Sequence, residues 1–168
     1  LAILNALCEK WDTILWLALS QWWHLTHWHK VSATSKFFNA VQYWLNKDWY
    51  IDLEEVESLA IEHKPKVIIV WFTAYSREFP FKEFSRIAEK VWAYLLADIS
   101  HISWLVVSGV HESPAPYADV IMTTTHKTLK GPRGALIMVT DKWLKSDPEL
   151  GKNIDKSVFP WLQWWPHN

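Results

Sequence analysis

Hydrophobic positions along the chain group into short apolar runs that alternate with amphipathic stretches. The apolar runs predict strands, which cover 12–19, 36–43, 66–72, 93–98, 119–124 and 135–140. Helical periodicity predicts helices over 1–7, 52–63, 80–91, 102–110 and 148–156. Strand runs that are buried on both faces and separated by helices indicate an α/β fold with a mainly parallel sheet flanked by helices.

Polar residues stand where three of these strands end. Thr73 follows the third strand, Asp98 closes the fourth, and 124–127 follow the fifth. In parallel α/β sheets, ligands bind beyond the carboxyl ends of the strands. We therefore expect a binding site at this edge of the sheet.

Composition and charge narrow the class of protein. The chain has 168 residues, is 50% hydrophobic and carries 17 basic against 18 acidic residues, a net charge of −1. These values favour one domain with a single core and give no electrostatic reason to expect nucleic acid or an anionic membrane as partner. Cys8 is the single cysteine, and no apolar run is long enough to span a bilayer, so we expect a soluble cytoplasmic protein.

Tryptophan is unusually common and glycine unusually rare. The chain has 14 Trp and 4 Gly, although glycine usually makes up about 7% of a sequence. Trp11, Trp49 and the pair 22–23 stand in turn contexts typical of glycine. A bulky residue at a turn position with positive φ carries strain of roughly 1–3 kcal/mol.

One lysine stands between an apolar strand and a glycine-bearing turn. Lys127 lies within the segment Thr-Thr-Thr-His-Lys-Thr-Leu-Lys-Gly-Pro-Arg-Gly, which covers 123–134. Asp98 ends an apolar run, and a carboxylate leaving a buried strand needs a cationic or hydrogen-bonding partner. A Schiff-base lysine and an aspartate for the ring nitrogen are the two groups that pyridoxal phosphate chemistry requires. The alternatives are a solvated loop lysine and an aspartate that caps the next helix.

Several segments together resemble the serine hydroxymethyltransferase family. They are His-Leu-Thr-His at 24–27, Lys-Pro-Lys at 64–66, Thr-Ala-Tyr-Ser-Arg at 73–77, Ala-Tyr-Leu at 93–95, Asp-Ile-Ser-His at 98–101, 123–134, Phe-Pro at 159–160 and Pro-His-Asn at 166–168. The resemblance implies the large domain of a fold-type I pyridoxal phosphate transferase. It covers the middle of that domain, so we expect its start and the C-terminal domain to be absent.

The resemblance also bears on the tryptophans. All 14, from Trp11 to Trp165, fall where the family has or accepts glycine, whereas Gly109, Gly131, Gly134 and Gly151 remain. This indicates systematic replacement of glycine by tryptophan, in the molecule or in its written sequence. In the molecule, tryptophan at 22–23 would crowd the cofactor, and the chain would then be an inactive fragment or a self-associating scaffold.

The resemblance assigns two catalytic groups and one stacking residue. Lys127 would hold the cofactor aldehyde, and Asp98 would keep the ring nitrogen protonated. His24 would stack on the ring. A competing interpretation makes His24, His27 and His29 metal ligands, although no cysteine or carboxylate joins them nearby.

Five further residues correspond to active-site positions of the family. The resemblance places His101 and Thr73 near the ring hydroxyl and His126 near the phosphate. Thr124 corresponds to a position nearer the substrate, and Arg133 to one in the lining. For each of these, the plain alternative is a satisfied polar residue at a strand end.

The activity that the resemblance implies is transfer of the hydroxymethyl group of L-serine to tetrahydrofolate, which gives glycine and methylenetetrahydrofolate. Family members are oligomers whose active sites combine two subunits, so a homodimer or higher homo-oligomer is implied. Another pyridoxal phosphate enzyme, such as a threonine aldolase, is the alternative within the same mechanistic class. Acceleration of serine cleavage by folate distinguishes the two.

Overall fold

The computed structural model describes residues 1–18, 34–71, 73 and 75–163. The strands are β1 (Thr13–Leu17), β2 (Asn39–Tyr43), β3 (Val67–Trp71), β4 (Tyr94–Asp98), β5 (Val120–Thr124) and β6 (Ala135–Val139). The helices are α1 (Ala2–Leu7), α2 (Leu53–His63), α3 (Phe81–Val91), α4 (Ser103–Val107), α5 (Asp141–Leu144) and α6 (Leu150–Lys156). A 3₁₀ turn over Thr34–Lys36 and an irregular helical segment over Ser157–Leu162 complete the described elements.

The six strands form one sheet in the order β2-β1-β3-β4-β5-β6. The first five strands in this order run parallel, and β6 pairs antiparallel with β5. This confirms the predicted α/β fold with a mainly parallel sheet. Asp98 pairs in register with Trp71 of β3 on one side and with Met122 of β5 on the other, so these strands end together.

Helices cover both faces of the sheet because alternate strand residues point to opposite sides. Leu15 and Leu17 of β1 pack with α2 and α3 in one buried cluster. Ile14 and Trp16 of the same strand pack with α1 and α6 in a second cluster. The strands are therefore buried on both faces, which is why they appear in the sequence as continuous apolar runs.

Helix ends follow local capping chemistry. Asp52 caps α2, since its carboxylate accepts hydrogen bonds from the backbone N–H groups of Glu54 and Glu55, both at 3.1 Å. The left-handed residues Lys64 and Trp92 end α2 and α3. Both helices match their predicted spans to within one residue.

Other predicted boundaries needed correction. The second strand begins at Asn39 rather than residue 36, because the 3₁₀ turn precedes it and the carbonyl of Thr34 accepts the N–H groups of Phe37 and Phe38. Helix α4 ends at Val107 rather than residue 110, because Gly109 adopts φ +75° and the chain turns back. Helix α5 was not predicted.

Three of the tryptophans that the structure describes adopt left-handed backbone conformations. Trp11 has φ 76°, Trp49 has φ 64° and Trp92 has φ 60°. Their side chains are 57%, 57% and 91% exposed. The turn geometry expected at Trp11 and Trp49 is confirmed, whereas the pair 22–23 lies outside the described residues. Trp16 and Trp71, in contrast, are buried strand residues.

Among the described residues, no helix combines the length and the apolar character needed to cross a bilayer.

Candidate functional site

The predicted site lies at the carboxyl edge of the parallel strands. Asp98 is the last residue of β4 and Thr124 the last residue of β5, while Thr73 follows β3 by two positions. Because β4 lies between β3 and β5, these three residues stand at neighbouring strand ends. The strand order thus brings together residues that are far apart in the sequence.

Asp98 is a buried carboxylate, only 5% exposed. Its Oδ1 atom accepts hydrogen bonds from the Ser100 N–H at 2.9 Å and from the Ser100 hydroxyl at 2.5 Å. It does not cap the following helix, since the N-cap position of α4 is Ile102 and has no side-chain cap. The helix-cap alternative for Asp98 is therefore wrong.

Lys127 lies in the hairpin between β5 and β6 and is partly buried. Its Nζ atom is 3.0 Å from Nε2 of His101, three residues beyond Asp98. The structure therefore brings Lys127 and His101 together at the same edge of the sheet as Asp98. This contact contradicts the alternative of a fully solvated loop lysine.

Hydrogen bonds close the hairpin that carries Lys127. The Thr125 N–H donates to the Gly134 carbonyl at 3.0 Å, and the Gly131 N–H donates to the Thr125 carbonyl at 2.7 Å. A Cβ atom added at Gly131 or Gly134 would lie 3.1 or 3.2 Å from an oxygen of Thr125, so a side chain at either position would require Thr125 to shift. The glycines in the sequence motif thus keep the hairpin tight.

A second set of contacts joins the hairpin to the segment after β4. The hydroxyl oxygens of Thr128 and Ser103 lie 2.6 Å apart, and the Thr128 hydroxyl also donates to the Ser100 carbonyl at 3.5 Å. The segment that begins at Asp98 therefore also contacts the residue next to Lys127. The segment 98–103 thus carries Asp98 and contacts two consecutive residues of the hairpin, Lys127 and Thr128.

Three polar atoms at this edge are buried and have no hydrogen-bond partner among the described residues. They are Oγ1 of Thr73, Oγ1 of Thr124 and Nδ1 of His126. A buried polar atom without a partner is unfavourable by roughly 1–3 kcal/mol, and such atoms at one edge are suited to a polar ligand.

Two predicted site residues stand apart from this arrangement. Arg133 is exposed on the hairpin and forms no hydrogen bond or ion pair with the described residues. His24 lies outside the described residues, as do His27 and His29, the other members of the suggested metal site.

Sequence reasoning missed the residues that support the site. Ser100, Ser103 and Thr128 were not singled out, although their hydroxyls form the contacts around Asp98 and the hairpin. A serine two residues after an aspartate at a strand end was the available signal, because Asp side chains commonly accept the N–H two residues on.

A cavity of about 470 Å³ lies elsewhere in the molecule. Cys8 and Lys10, which precede β1, line it together with Phe37, which precedes β2. It therefore lies near the amino ends of these strands, opposite the candidate site. Burial, aided by the Asp12 carboxylate, raises the pKa of the Cys8 thiol to about 12, which makes it a poor nucleophile.

Comparison with known proteins identifies the family. A family model described as "Serine hydroxymethyltransferase" matches residues 1–168. A serine hydroxymethyltransferase of Orientia tsutsugamushi (strain Ikeda) is 52% identical over 166 residues, which are 98% of this chain and 38% of that protein. One from Desulfotalea psychrophila (strain LSv54 / DSM 12343) is 48% identical over 168 residues, which are 100% of this chain and 38% of that protein.

A third relative gives the same coverage. Serine hydroxymethyltransferase 1 of Pseudomonas savastanoi pv. phaseolicola (strain 1448A / Race 6) is 47% identical over 165 residues, 98% of this chain and 38% of that protein. The chain thus spans 38% of the length of these relatives. With a family match over all its residues and relatives about half identical to it, the chain belongs to the serine hydroxymethyltransferase family.

Proposed function

We propose that this chain supplies the pyridoxal phosphate site of an enzyme that transfers the hydroxymethyl group of L-serine to tetrahydrofolate. We further propose that it is part of the large domain of that enzyme, which acts in the cytoplasm as a homodimer or higher homo-oligomer. The observation that carries the proposal is the placement of Lys127 and Asp98 at one sheet edge, joined through the segment 98–103.

The residues present fit the cofactor. Pyridoxal phosphate needs an amine for its aldehyde and a carboxylate for its ring nitrogen, and Lys127 and Asp98 would provide these groups. It also carries a ring hydroxyl and a phosphate, which need polar partners. The partnerless oxygens of Thr73 and Thr124 and the Nδ1 atom of His126 are available for such groups.

When bound, the cofactor supplies an electron sink for the substrate carbanion. Asp98 is buried and accepts hydrogen bonds from Ser100. Its carboxylate would accept a hydrogen bond from the protonated ring nitrogen and keep that proton in place. Lys127 attacks a carbonyl only as a neutral amine, and Nε2 of His101 is close enough at 3.0 Å to accept its proton.

The remaining predicted residues have positioning roles in this proposal. Thr124 would orient the substrate, Thr73 and His101 would contact the ring hydroxyl, and His126 would contact the phosphate. His24 would stack on the ring, and Arg133 would form part of the lining of the site.

The experiment is borohydride reduction of the chain after addition of pyridoxal phosphate, followed by peptide mass spectrometry. We expect the reduced cofactor on Lys127 and none in Lys127→Ala. Lys130→Ala is the matched control, because this exposed lysine lies in the same hairpin and should leave the attachment unchanged. Attachment that persists in Lys127→Ala would contradict the proposal, and a folded chain without any attachment would be a scaffold.

Asp98→Asn tests the second group. The amide should still permit cofactor binding, but we expect carbanion formation to slow by about 10²-fold, since the ring nitrogen loses its anionic partner. Exchange of the glycine α-proton measures this step. Unchanged exchange in Asp98→Asn would rule out the assigned role, and acceleration of serine cleavage by folate would separate this activity from that of an aldolase.

A further inference from the structure

Ser100 is fully buried, and its backbone and hydroxyl atoms make a set of contacts around Asp98. Its N–H and its hydroxyl both donate to Oδ1 of Asp98, at 2.9 and 2.5 Å. Its Oγ atom also accepts the Thr124 N–H at 3.0 Å, and its carbonyl accepts the Thr128 hydroxyl at 3.5 Å. A small residue thus contacts the end of β4, the end of β5 and the lysine hairpin.

The hydrogen-bond roles of these groups fix the direction of the Ser100 hydroxyl. The Thr124 N–H can only donate, so the Ser100 oxygen is the acceptor there. An ionised carboxylate can only accept, so the single hydroxyl hydrogen points to Asp98. The hydroxyl therefore has one orientation, which both neighbours determine.

Two donors on the same carboxylate oxygen restrict rotation of the Asp98 side chain. The contact with Thr124 also ties this carboxylate to β5, the strand that leads into the lysine hairpin. Ser100 is thus connected both to the orientation of Asp98 and to its distance from Lys127. Catalytic groups depend on such support, because a side chain left to rotate spends less time in the productive geometry.

We propose that Ser100 is a positioning residue that orients the Asp98 carboxylate towards the ring nitrogen of the cofactor. This inference rests on the proposed function, and it assigns to Ser100 a part of that site which the sequence analysis did not. Ser100 touches neither cofactor nor substrate in this role and acts only through Asp98 and the end of β5.

The test compares two cofactors in Ser100→Ala. One is pyridoxal phosphate, and the other is its 1-deaza analogue, in which C–H replaces the ring nitrogen. The unsubstituted chain should bind pyridoxal phosphate more tightly, and Ser100→Ala should reduce this preference by about tenfold. Affinity for the analogue should stay the same, because the analogue has no ring N–H for Asp98 to accept.

Hydrogen exchange provides a measurement without cofactor. Ser100→Ala removes the acceptor of the Thr124 N–H, so this amide should exchange faster, whereas the Thr125 N–H keeps its bond to the Gly134 carbonyl. Thr140→Val is the matched control. It removes another buried hydroxyl, bonded to the Ala118 carbonyl at 2.7 Å, and should keep the cofactor preference.

The possible outcomes distinguish failure of the inference about Ser100 from failure of the proposed function. A loss of affinity that is equal for both cofactors would show a merely structural role and overturn the inference while leaving the proposed function intact. An unsubstituted chain that binds neither compound would overturn the proposed function and the inference with it. Should Ser100→Ala fold poorly, Ser100→Cys keeps a side-chain donor, although a weaker one, and should show a smaller change in the same preference.

Discussion

The hairpin that carries Lys127 and the three turns at Trp11, Trp49 and Trp92 are limited by different physical factors. In the turns the backbone is left-handed, with φ between 60° and 76°, while the side chains extend into solvent. In the hairpin, Gly131 and Gly134 lie where a Cβ would press on Thr125. In the hairpin, the space around the Cβ position limits the size of the side chain. In the turns, the backbone conformation limits which residues are favourable.

The difference separates two reasons for glycine in a protein. A left-handed position accepts a large side chain if the side chain has room, but the backbone conformation is less favourable by about 1–2 kcal/mol for an L-residue. At a crowded position even a methyl group requires a neighbouring atom to shift, whatever the φ of the residue. The chain therefore tolerates tryptophan at turns but retains glycine beside the candidate site.

The largest effect is expected from replacing the three left-handed tryptophans together. The variant Trp11→Gly, Trp49→Gly, Trp92→Gly should raise the free energy of unfolding by about 3 kcal/mol, since each glycine removes roughly 1 kcal/mol of backbone strain. Urea unfolding followed by circular dichroism measures the change.

Trp104→Gly is the control for this variant. Trp104 is similarly exposed, at 60%, but lies in α4 with helical backbone, so glycine there should lower the stability by about 1 kcal/mol. An intact mass of 19.8 kDa for the unsubstituted chain verifies tryptophan at its 14 positions beforehand. A triple variant no more stable than the starting chain would break the comparison.

The next effect concerns the hairpin. Gly131→Ala should lower the free energy of unfolding by about 1–2 kcal/mol, because its Cβ would lie 3.1 Å from the backbone oxygen of Thr125. It should also weaken attachment of pyridoxal phosphate to Lys127, since the hairpin must widen. A Gly131→Ala chain with unchanged stability and attachment would show that this turn is not crowded.

Two glycines outside the hairpin sharpen the comparison further. Gly109 has φ +75° and no atom within 4 Å of an added Cβ, so Gly109→Ala should destabilise by about 1 kcal/mol through conformation alone. Gly151 lies in α6, also with free space, and Gly151→Ala should stabilise by about 0.5–1 kcal/mol. Thermal unfolding of both variants measures the two changes in stability. Changes of the same sign would contradict the distinction between the two glycines.

A last prediction probes the region of the Trp11 turn without a substitution. Burial and the Asp12 carboxylate raise the pKa of Cys8 from 9.0 to about 12. Between these two pH values the unfolded chain has released the thiol proton and the folded chain has kept it. This group therefore makes stability fall as pH rises from 9 to 12. Alkylation of Cys8 at pH 8 should be slower than in urea, and equal rates would show an exposed thiol.

Much of the fold could be predicted from the sequence. Strands buried on both faces leave long apolar runs, and α2 has a capping Asp52 before its apolar stripe. Helix α5 could not be predicted, because its four residues are too few to show a period. An apolar run also carries no direction, so the antiparallel pairing of β6 depended on the short connection after Thr124.

The residues of the candidate site also differ in how far the sequence could predict them. Asp98 and Lys127 could be singled out because Asp98 ends one apolar strand and Lys127 follows another. For Ser100 the sequence offered only its position two residues after Asp98, because its contact with Thr124 depends on the pairing of β4 with β5. Contacts between distant segments form only when the sheet is assembled, so the periodicity of the sequence does not predict them.

The antiparallel pairing of β6 has a consequence for the order of folding. The lysine hairpin closes between consecutive strands, so its contacts join residues of small sequence separation, whereas Ser100 and Thr124 lie 24 residues apart. Local pairings form faster than distant parallel ones, since less chain entropy is lost on closure. We therefore expect the hairpin that carries Lys127 to acquire its shape before the strand of Asp98 docks beside it, and the candidate site to be completed late.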